Sequence, residues 1–329
     1  MKADITYKEA IQRCGPHLRL CLQRSVEVLR RAEKIALRYD PDNGFWLGFS
    51  GGKDSQALYH VAELAGVKFK AHFSPTTVDP PQVIRFIRHQ YPDVEFEKVT
   101  MSIYDMAVKK KILPTRTLRW CCAEYKEKGG AGTVTLVGVR HAESARRADR
   151  PEVTTASRKF GGSLDDFFSF QEQEIRKKYK NLNFDQWSID QQQTLTCISG
   201  KDKIIVSPII DWSESDVWEF LNKVVRVQHC ELYDPPLNQR RIGCILCPMA
   251  NKKQKLRDCE LFPYVKRRWL KTIELLVGGG YLSEHQKDFY SRTTDDDFIE
   301  AMFQWWIDGR SWDEFISDYT YPTLFDDGV

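Results

Sequence analysis

Apolar residues recur at spacings of three and four through residues 18–39, where Leu18, Leu22, Val26, Leu29, Ala32 and Ala36 are separated mainly by arginines, glutamates and other polar side chains. That period predicts an amphipathic helix. It closes at Asp40-Pro41-Asp42-Asn43-Gly44, a run that cannot easily continue a helix. Beyond this turn the pattern changes. Short apolar runs at 45–50, 67–73, 94–99, 133–139 and 203–206 read as strands, and residues 54–64, 81–90 and 102–111 between them read as helices. Strands separated by helices of this length need right-handed crossovers. The expected fold is therefore α/β, a parallel five-stranded sheet with helices on both faces.

Three further stretches complete the outline. Residues 140–201, between the fourth and fifth strands, form an insertion of a length that marks a functional or mobile segment. Residues 213–221 read as a helix capped by Ser213, with acidic residues in its first turn and Val217, Phe220 and Leu221 on one face. From Leu256 onward the chain is aromatic and helix-like, with a break at Gly278-Gly279-Gly280. The expected organisation is a helical segment at 1–43, an α/β domain at 44–250 carrying the 140–201 insertion, and a helical region at 251–329.

Composition narrows the class. Of 329 residues, 42% are hydrophobic and 29% charged, which excludes a disordered tail or a disulfide-stapled miniprotein. Lys plus Arg number 49 against 46 Asp plus Glu, a net charge of +3. No global field favours nucleic acid or an acidic membrane, so any nucleic-acid site must be a local patch. The first residues contain no apolar signal core, and no run approaches the roughly 20 apolar residues that span a bilayer. The expectation is a soluble cytoplasmic protein without a membrane partner. There are nine cysteines, with Cys121 and Cys122 adjacent and Cys244 and Cys247 spaced CxxC. In a reducing compartment such grouping points to metal or redox chemistry rather than a disulfide framework.

The strongest chemical signal is Ser50-Gly51-Gly52-Lys53-Asp54-Ser55, placed where the first strand ends and a helix begins. Paired glycines let backbone N–H groups approach an anion, the helix N-terminus adds a favourable dipole, Lys53 supplies charge and Ser50 and Ser55 supply hydroxyls. This is a phosphate cradle, distinct from the Walker A loop because GxxxxGK[ST] is absent. A second signal is basic: Arg140, Arg146, Arg147, Arg150, Arg158 and Lys159 in the insertion, then Arg240, Arg241, Lys252, Lys253, Lys255 and Arg257. These residues either neutralise backbone phosphates or form a solvated face. Trp269, Trp305, Trp306 and Trp312 fall at helical spacing, which favours core packing over base stacking. The four grouped cysteines fit a metal centre of four thiolates, zinc included, or four buried small side chains.

The hexapeptide resembles the PP-loop of ATP pyrophosphatases, and other segments resemble the phosphoadenosine phosphosulfate reductase family. These are Thr76-Thr77-Val78-Asp79-Pro80-Pro81, Arg119-Trp120-Cys121-Cys122, Gly138-Val139-Arg140-His141-Ala142-Glu143-Ser144, Ser207-Pro208-Ile209-Ile210-Asp211-Trp212, Asp216-Val217-Trp218, and Arg241-Ile242-Gly243-Cys244-Ile245-Leu246-Cys247-Pro248. They occur in order over about residues 44–250. The resemblance implies a sheet of the adenine nucleotide α-hydrolase-like type and ATP or a sulfonucleotide held by Ser50, Gly51, Gly52, Lys53, Asp54 and Ser55. Gly138 and Arg140 would reach the same crevice. It also implies a [4Fe–4S] cluster on Cys121, Cys122, Cys244 and Cys247.

Adenylyl transfer develops charge on the α-phosphate and on departing pyrophosphate, which Lys53 and Arg140 would stabilise together with Mg²⁺. Asp54 or Asp79 would hold that ion, or would cap a helix. The family's sulfonucleotide reductases use a C-terminal Glu-Cys-Gly-Leu-His segment, whereas this chain has no cysteine after Cys259. The resemblance is therefore closest to the sulfur-incorporation enzyme of DNA phosphorothioation systems. Its implied partners are DNA, a cysteine desulfurase as sulfur donor, and other subunits of a modification system. Sulfonucleotide reduction and tRNA thiolation are the alternatives.

Overall fold

The computed structural model describes residues 4–178 and 202–319, and these fall into two compact units. The first unit comprises residues 1–74, 81–98 and 128–242, and the second comprises 75–80, 99–127 and 243–329. The second unit is thus assembled from three separated stretches of chain.

The first unit holds one sheet. Its strands are β1 (Phe45–Gly48), β2 (Phe69–Phe73), β3 (Glu95–Phe96), β4 (Val134–Leu136), β5 (Val153–Thr155), β6 (Gly161–Gly162) and β7 (Ile204–Val206), in the order β3-β2-β1-β4-β7-β5-β6. The first five in that order pair in parallel, as the alternation of strands and helices predicts. β5 runs antiparallel to both β7 and β6. Among the described residues the expected five strands are therefore seven, because the insertion contributes β5 and β6. Val153 and Thr155 are buried against β7, which converts an exposed sheet edge into a paired one. The rest of the insertion includes a helix at Leu164–Lys178, and Cys197 lies outside the described residues.

Four helices precede β4 in this unit: α1 (Tyr7–Arg13), α2 (Pro16–Tyr39), α3 (Lys53–Ala65) and α4 (Pro81–Gln90). All six stripe positions of α2 read from the sequence, Leu18 to Ala36, are buried. Full burial of Leu, Val or Phe side chains contributes roughly 1.5–3 kcal/mol each, so this stripe is enough to hold α2 to the core. α3 is buried on nearly every side, and its polar residues are paired accordingly. Gln56 donates to Tyr91 Oη at 3.0 Å and to the Gln228 carbonyl at 2.9 Å, and His60 meets the same Tyr91 hydroxyl at 2.9 Å. A helix this enclosed is a rigid platform for the loop that precedes it.

The second unit is helical. Helices at Ile103–Lys110, Trp120–Tyr125, Lys252–Leu261, Pro263–Gly278, Glu284–Tyr290, Asp295–Asp308 and Trp312–Ser317 enclose their own apolar core. The helix from Pro263 ends at the predicted glycine break. Trp269, Trp306 and Trp312 are buried in this core, as their helical spacing predicts. Among the described residues no helix is long and apolar enough to cross a membrane.

Candidate active site

The Ser50–Ser55 loop sits at the carboxyl end of β1, the central strand of the parallel set, where open α/β sheets bind their ligands. Gly51 adopts φ +73°, and a Cβ there would lie 2.9 Å from Val83 and 3.0 Å from Ile87, so only glycine makes this bend. Gly52 is the N-cap of α3 and offers no side-chain cap, leaving the first-turn N–H groups to other partners. The Ser55 hydroxyl donates to the Gly52 carbonyl at 2.8 Å and accepts from the Ser50 backbone N–H at 3.2 Å. The loop is thereby tied across its own mouth. Gly138, just past β4, packs against it so closely that a Cβ would lie 2.8 Å from the Asp54 carbonyl oxygen.

Lys53 and Arg140 are both buried, at 3% and 1% exposure, and neither is unpaired. Lys53 Nζ lies 3.5 Å from Asp54 Oδ2 and 3.4 Å from Glu214 Oε1, and donates to the Arg240 carbonyl at 3.2 Å. Arg140 donates through Nε to Asp54 Oδ1 at 2.7 Å, through Nη2 to Glu214 Oε2 at 2.9 Å and through Nη1 to the Trp212 carbonyl at 3.1 Å. Two cations and two carboxylates form one box, formally neutral. Burial would raise the Glu214 carboxyl, but Lys53 and Arg140 outweigh it and hold the group below the ordinary glutamate value. Arg140 thus meets the loop through carboxylates rather than through a free guanidinium.

Two members of this site escaped the sequence reading. Tyr233 accepts a hydrogen bond from the Lys53 backbone N–H at 2.9 Å, and its ring lies 5.6 Å from Lys53 Nζ. Burial pushes the Tyr233 phenol up, so it stays a neutral hydroxyl. Glu214, the first residue of the Glu214–Glu219 helix, carries the other half of the box. Its signal was available, because an acidic helix start directly after the fifth parallel strand falls on the ligand-binding edge of such a sheet. Tyr233 gave no such signal.

The expected basic patch is partly consumed by internal pairing. Arg147 is ion-paired with Glu143, whose other oxygen lies 3.6 Å from Arg241, and Arg150 stands near enough to depress Arg147 further once burial has lowered it. Lys255, in the second unit, is buried and donates to the Trp306 and Ile307 carbonyls at 3.1 and 3.0 Å. It closes a helix end and is not a phosphate ligand. Lys252 is paired with Asp308 at 2.7 Å.

The second unit also gathers the four cysteines. Cys121 and Cys122 lie on the Trp120–Tyr125 helix, and Cys244 and Cys247 lie in the turn before Lys252–Leu261. That turn is pinned by Ile245 N–H donating to the Val78 carbonyl at 2.8 Å and Leu246 N–H donating to Asp258 Oδ2 at 2.9 Å. The thiols share one electrostatic neighbourhood. A hydrogen bond from Cys121 and the cations Arg119 and Lys126 lower the Cys122 thiol, and Cys122 with burial, Cys244 and Cys247 raises that of Cys121. Cys244, beside the Lys126 ammonium, raises that group. Four thiols beside two cations suit a thiolate-ligated centre.

Tetrahedral zinc at about 2.3 Å needs sulfurs roughly 3.8 Å apart. Among the described residues the three donors gathered within 4.8 Å of one another are His17, Cys21 and Asp216, not these cysteines. The Trp120 indole N–H is buried without a partner, a donor that a cluster sulfide accepts. Asp79, also in the second unit, accepts from the Thr76 backbone N–H.

A parallel α/β sheet with a glycine-paired anion loop at its central strand defines a PP-loop protein. Residues 44–250 match the phosphoadenosine phosphosulfate reductase domain, and the chain belongs to that family. An uncharacterized protein of Methanocaldococcus jannaschii is 26% identical over 321 residues, covering 92% of this chain and 63% of that protein. Sulfate adenylyltransferase subunit 2 of a Sulfurovum species is 25% identical over 221 residues, covering 62% of this chain and 63% of its own length. The chain thus spans about 63% of the length of both relatives. Among solved structures, Candida glabrata FMN adenylyltransferase in complex with FAD and inorganic pyrophosphate is similar at 11% identity and a TM-score of 0.43. It covers 72% of this chain and 68% of that one.

Proposed function

We propose that this chain is a PP-loop ATP pyrophosphatase that adenylylates a DNA backbone phosphate and so activates it for sulfur insertion. The observation that carries the ATP part is the loop itself: a Gly51 bend, an uncapped α3 start and a buried Lys53, seated at the ligand edge of the central strand. Backbone N–H groups at Gly51 and Gly52 and the α3 dipole receive the phosphates. Lys53 offsets the charge that develops as pyrophosphate leaves. Arg140 orients Asp54 and Glu214, the acidic pair that would hold Mg²⁺. Bound there, the ion would supply positive charge to offset that of the phosphates. A non-bridging oxygen of DNA attacks the α-phosphorus of ATP, the bond to the pyrophosphate leaving group breaks, and AMP remains on the DNA. The outer sulfur of a cysteine desulfurase persulfide then displaces AMP to form a phosphorus-bound disulfide. A second thiol, acting as reductant, attacks the desulfurase sulfur, so that the S–S bond breaks, phosphorothioate leaves and a mixed disulfide remains on the desulfurase.

Cys121, Cys122, Cys244 and Cys247 would hold a [4Fe–4S] cluster, which supplies thiolate-ligated iron for sulfur handling or bracing. All eight described cysteines are free, in keeping with a cytoplasmic setting where other modification-system subunits act alongside. Arg241, exposed beside Glu143, is available for a DNA phosphate. A second reading is adenylyl transfer to a small oxyanion, favoured by the similarity to sulfate adenylyltransferase subunit 2.

The deciding experiment is mass spectrometry of nuclease-digested DNA from host cells with and without the gene. Phosphorothioate-linked dinucleotides should vanish on deletion and return on complementation. Unchanged or absent phosphorothioate would overturn the DNA reading while leaving the loop's ATP chemistry to a pyrophosphate-release assay.

A further inference from the structure

Three side chains with metal-ligand chemistry meet in the first unit and take no part in the Lys53 box. His17 and Cys21 stand one turn apart on α2, a spacing of four that puts both on one face. Asp216 comes from the Glu214–Glu219 helix. His17 Nδ1 lies 3.0 Å from Asp216 Oδ1, and Cys21 Sγ lies 3.9 Å from each His17 ring nitrogen. One donor atom from each of the three falls within 4.8 Å of the others.

The site is built rather than incidental. Asp216 is buried, and its Oδ2 accepts from the Ser213 backbone N–H at 2.8 Å and the Ser213 hydroxyl at 2.6 Å. Oδ1 is thereby fixed as the oxygen that faces His17. Cys21 also lines a cavity of about 220 Å³ with Arg24, Asp211 and Trp212. The neighbouring charges are already committed elsewhere: Arg24 to Asp211 at 2.8 Å and Glu152 at 3.3 Å, and Asp211 also to His141 at 3.2 Å.

We propose that His17, Cys21 and Asp216 bind one borderline-soft divalent ion of the zinc class, with water in the fourth position. Zinc bonds of roughly 2.0–2.3 Å in tetrahedral array set nitrogen, sulfur and oxygen donors about 3.4–3.6 Å apart. The present separations of 3.0 and 3.9 Å bracket that range, and small side-chain rotations close the difference. A thiolate and a carboxylate balance the two positive charges, and the imidazole is neutral. Magnesium and calcium, which take all-oxygen shells, are excluded by the sulfur. On binding, the Cys21 S–H proton and the His17 Nδ1 proton directed at Asp216 pass to solvent, the imidazole keeps or gains its proton at Nε2, a metal–sulfur bond forms, and the His17–Asp216 hydrogen bond is exchanged for two metal–ligand bonds. No electron is transferred. The ion would brace the short helix whose first residue, Glu214, holds both Lys53 and Arg140, so metal occupancy would stiffen the phosphate loop from outside it.

The test uses the full chain, stripped with a chelator and then saturated with zinc alone, and reads bound zinc per chain by elemental mass spectrometry. His17→Gln and Cys21→Ser should each hold one equivalent less than wild type. His17 is exposed, at 68% of its side-chain surface, so His17→Gln leaves packing intact. With cobalt(II) as the second probe, the thiolate-to-cobalt charge-transfer band should persist in Cys244→Ser and lose the intensity of one thiolate in Cys21→Ser. Wild-type zinc content in both His17→Gln and Cys21→Ser, or a cobalt band indifferent to Cys21, would overturn the proposal.

Discussion

At the scale of the residue, the cations of this site are defined by what they are paired with. Lys53 is enclosed by Asp54, Glu214 and the Arg240 carbonyl, so its ammonium is held in place before any ligand arrives. Preorganised charge of this kind is worth far more than a mobile lysine, and removing one such group typically costs about 10²–10³ in rate. Lys53→Ala should therefore lower pyrophosphate release from ATP by that order, and a wild-type rate would remove the loop from the chemistry. Glu214 sets a pH limit on the same box. Its pKa is below the usual 4.5 in the folded chain, so its stabilising contribution is present above that value and is lost as pH falls through the folded pKa. Thermal melts from pH 6 downward should show a decline that Glu214→Gln flattens. The hexapeptide was legible at this scale because its six residues are contiguous. Tyr233 was not, since it meets Lys53 across 180 positions of chain, and Glu214 was legible only as an acidic helix start, its partner Arg140 lying 74 positions away.

At the scale of the element, the amphipathic period and the strand–helix alternation predicted α2, α3 and the five parallel strands within a few residues of where they stand. Those elements bury one stripe or a continuous apolar run, and burial writes itself into local pattern. β5 and β6 were missed because Val153-Thr154-Thr155 and Gly161-Gly162 form no apolar run, and the two strands exist only because β7 offers an edge. The contact between the end of β4 and the start of α3 is likewise invisible locally. Gly138 is required there by the Asp54 carbonyl 2.8 Å from any Cβ. Gly138→Ala must push one backbone segment off the other, and overpacking of this sort costs roughly 1–3 kcal/mol. The expected result is a lower melting temperature together with weaker ATP binding, read by calorimetry. A variant that binds ATP as wild type does would show that the loop tolerates the shift.

At the scale of the whole molecule, two compact units divide the chemistry. The phosphate loop and its charge box belong to one, and the four cysteines belong to the other. Cys121 and Cys122 are separated from Cys244 and Cys247 by more than a hundred residues of the first unit's chain, yet Cys244 and Cys247 stand near enough to help raise the Cys121 thiol. If they hold a cluster, Cys244→Ser purified without oxygen should lose most of its iron and the associated visible absorption. Full iron content would dismiss these cysteines as ligands. The basic residues show the opposite outcome: Lys255 looks like part of a phosphate-binding run and is instead a buried cap on two carbonyls.

The sequence by itself determined the parallel α/β core, the phosphate loop and the family, because each rests on short contiguous motifs or on a period that burial imposes. Tertiary structure alone decided which carboxylates face Lys53 and Arg140, which basic residues remain available to a ligand, and that His17, Cys21 and Asp216 come together. Those outcomes depend on distances between residues remote in the chain, and such distances are set by how the helices pack on the sheet and on one another.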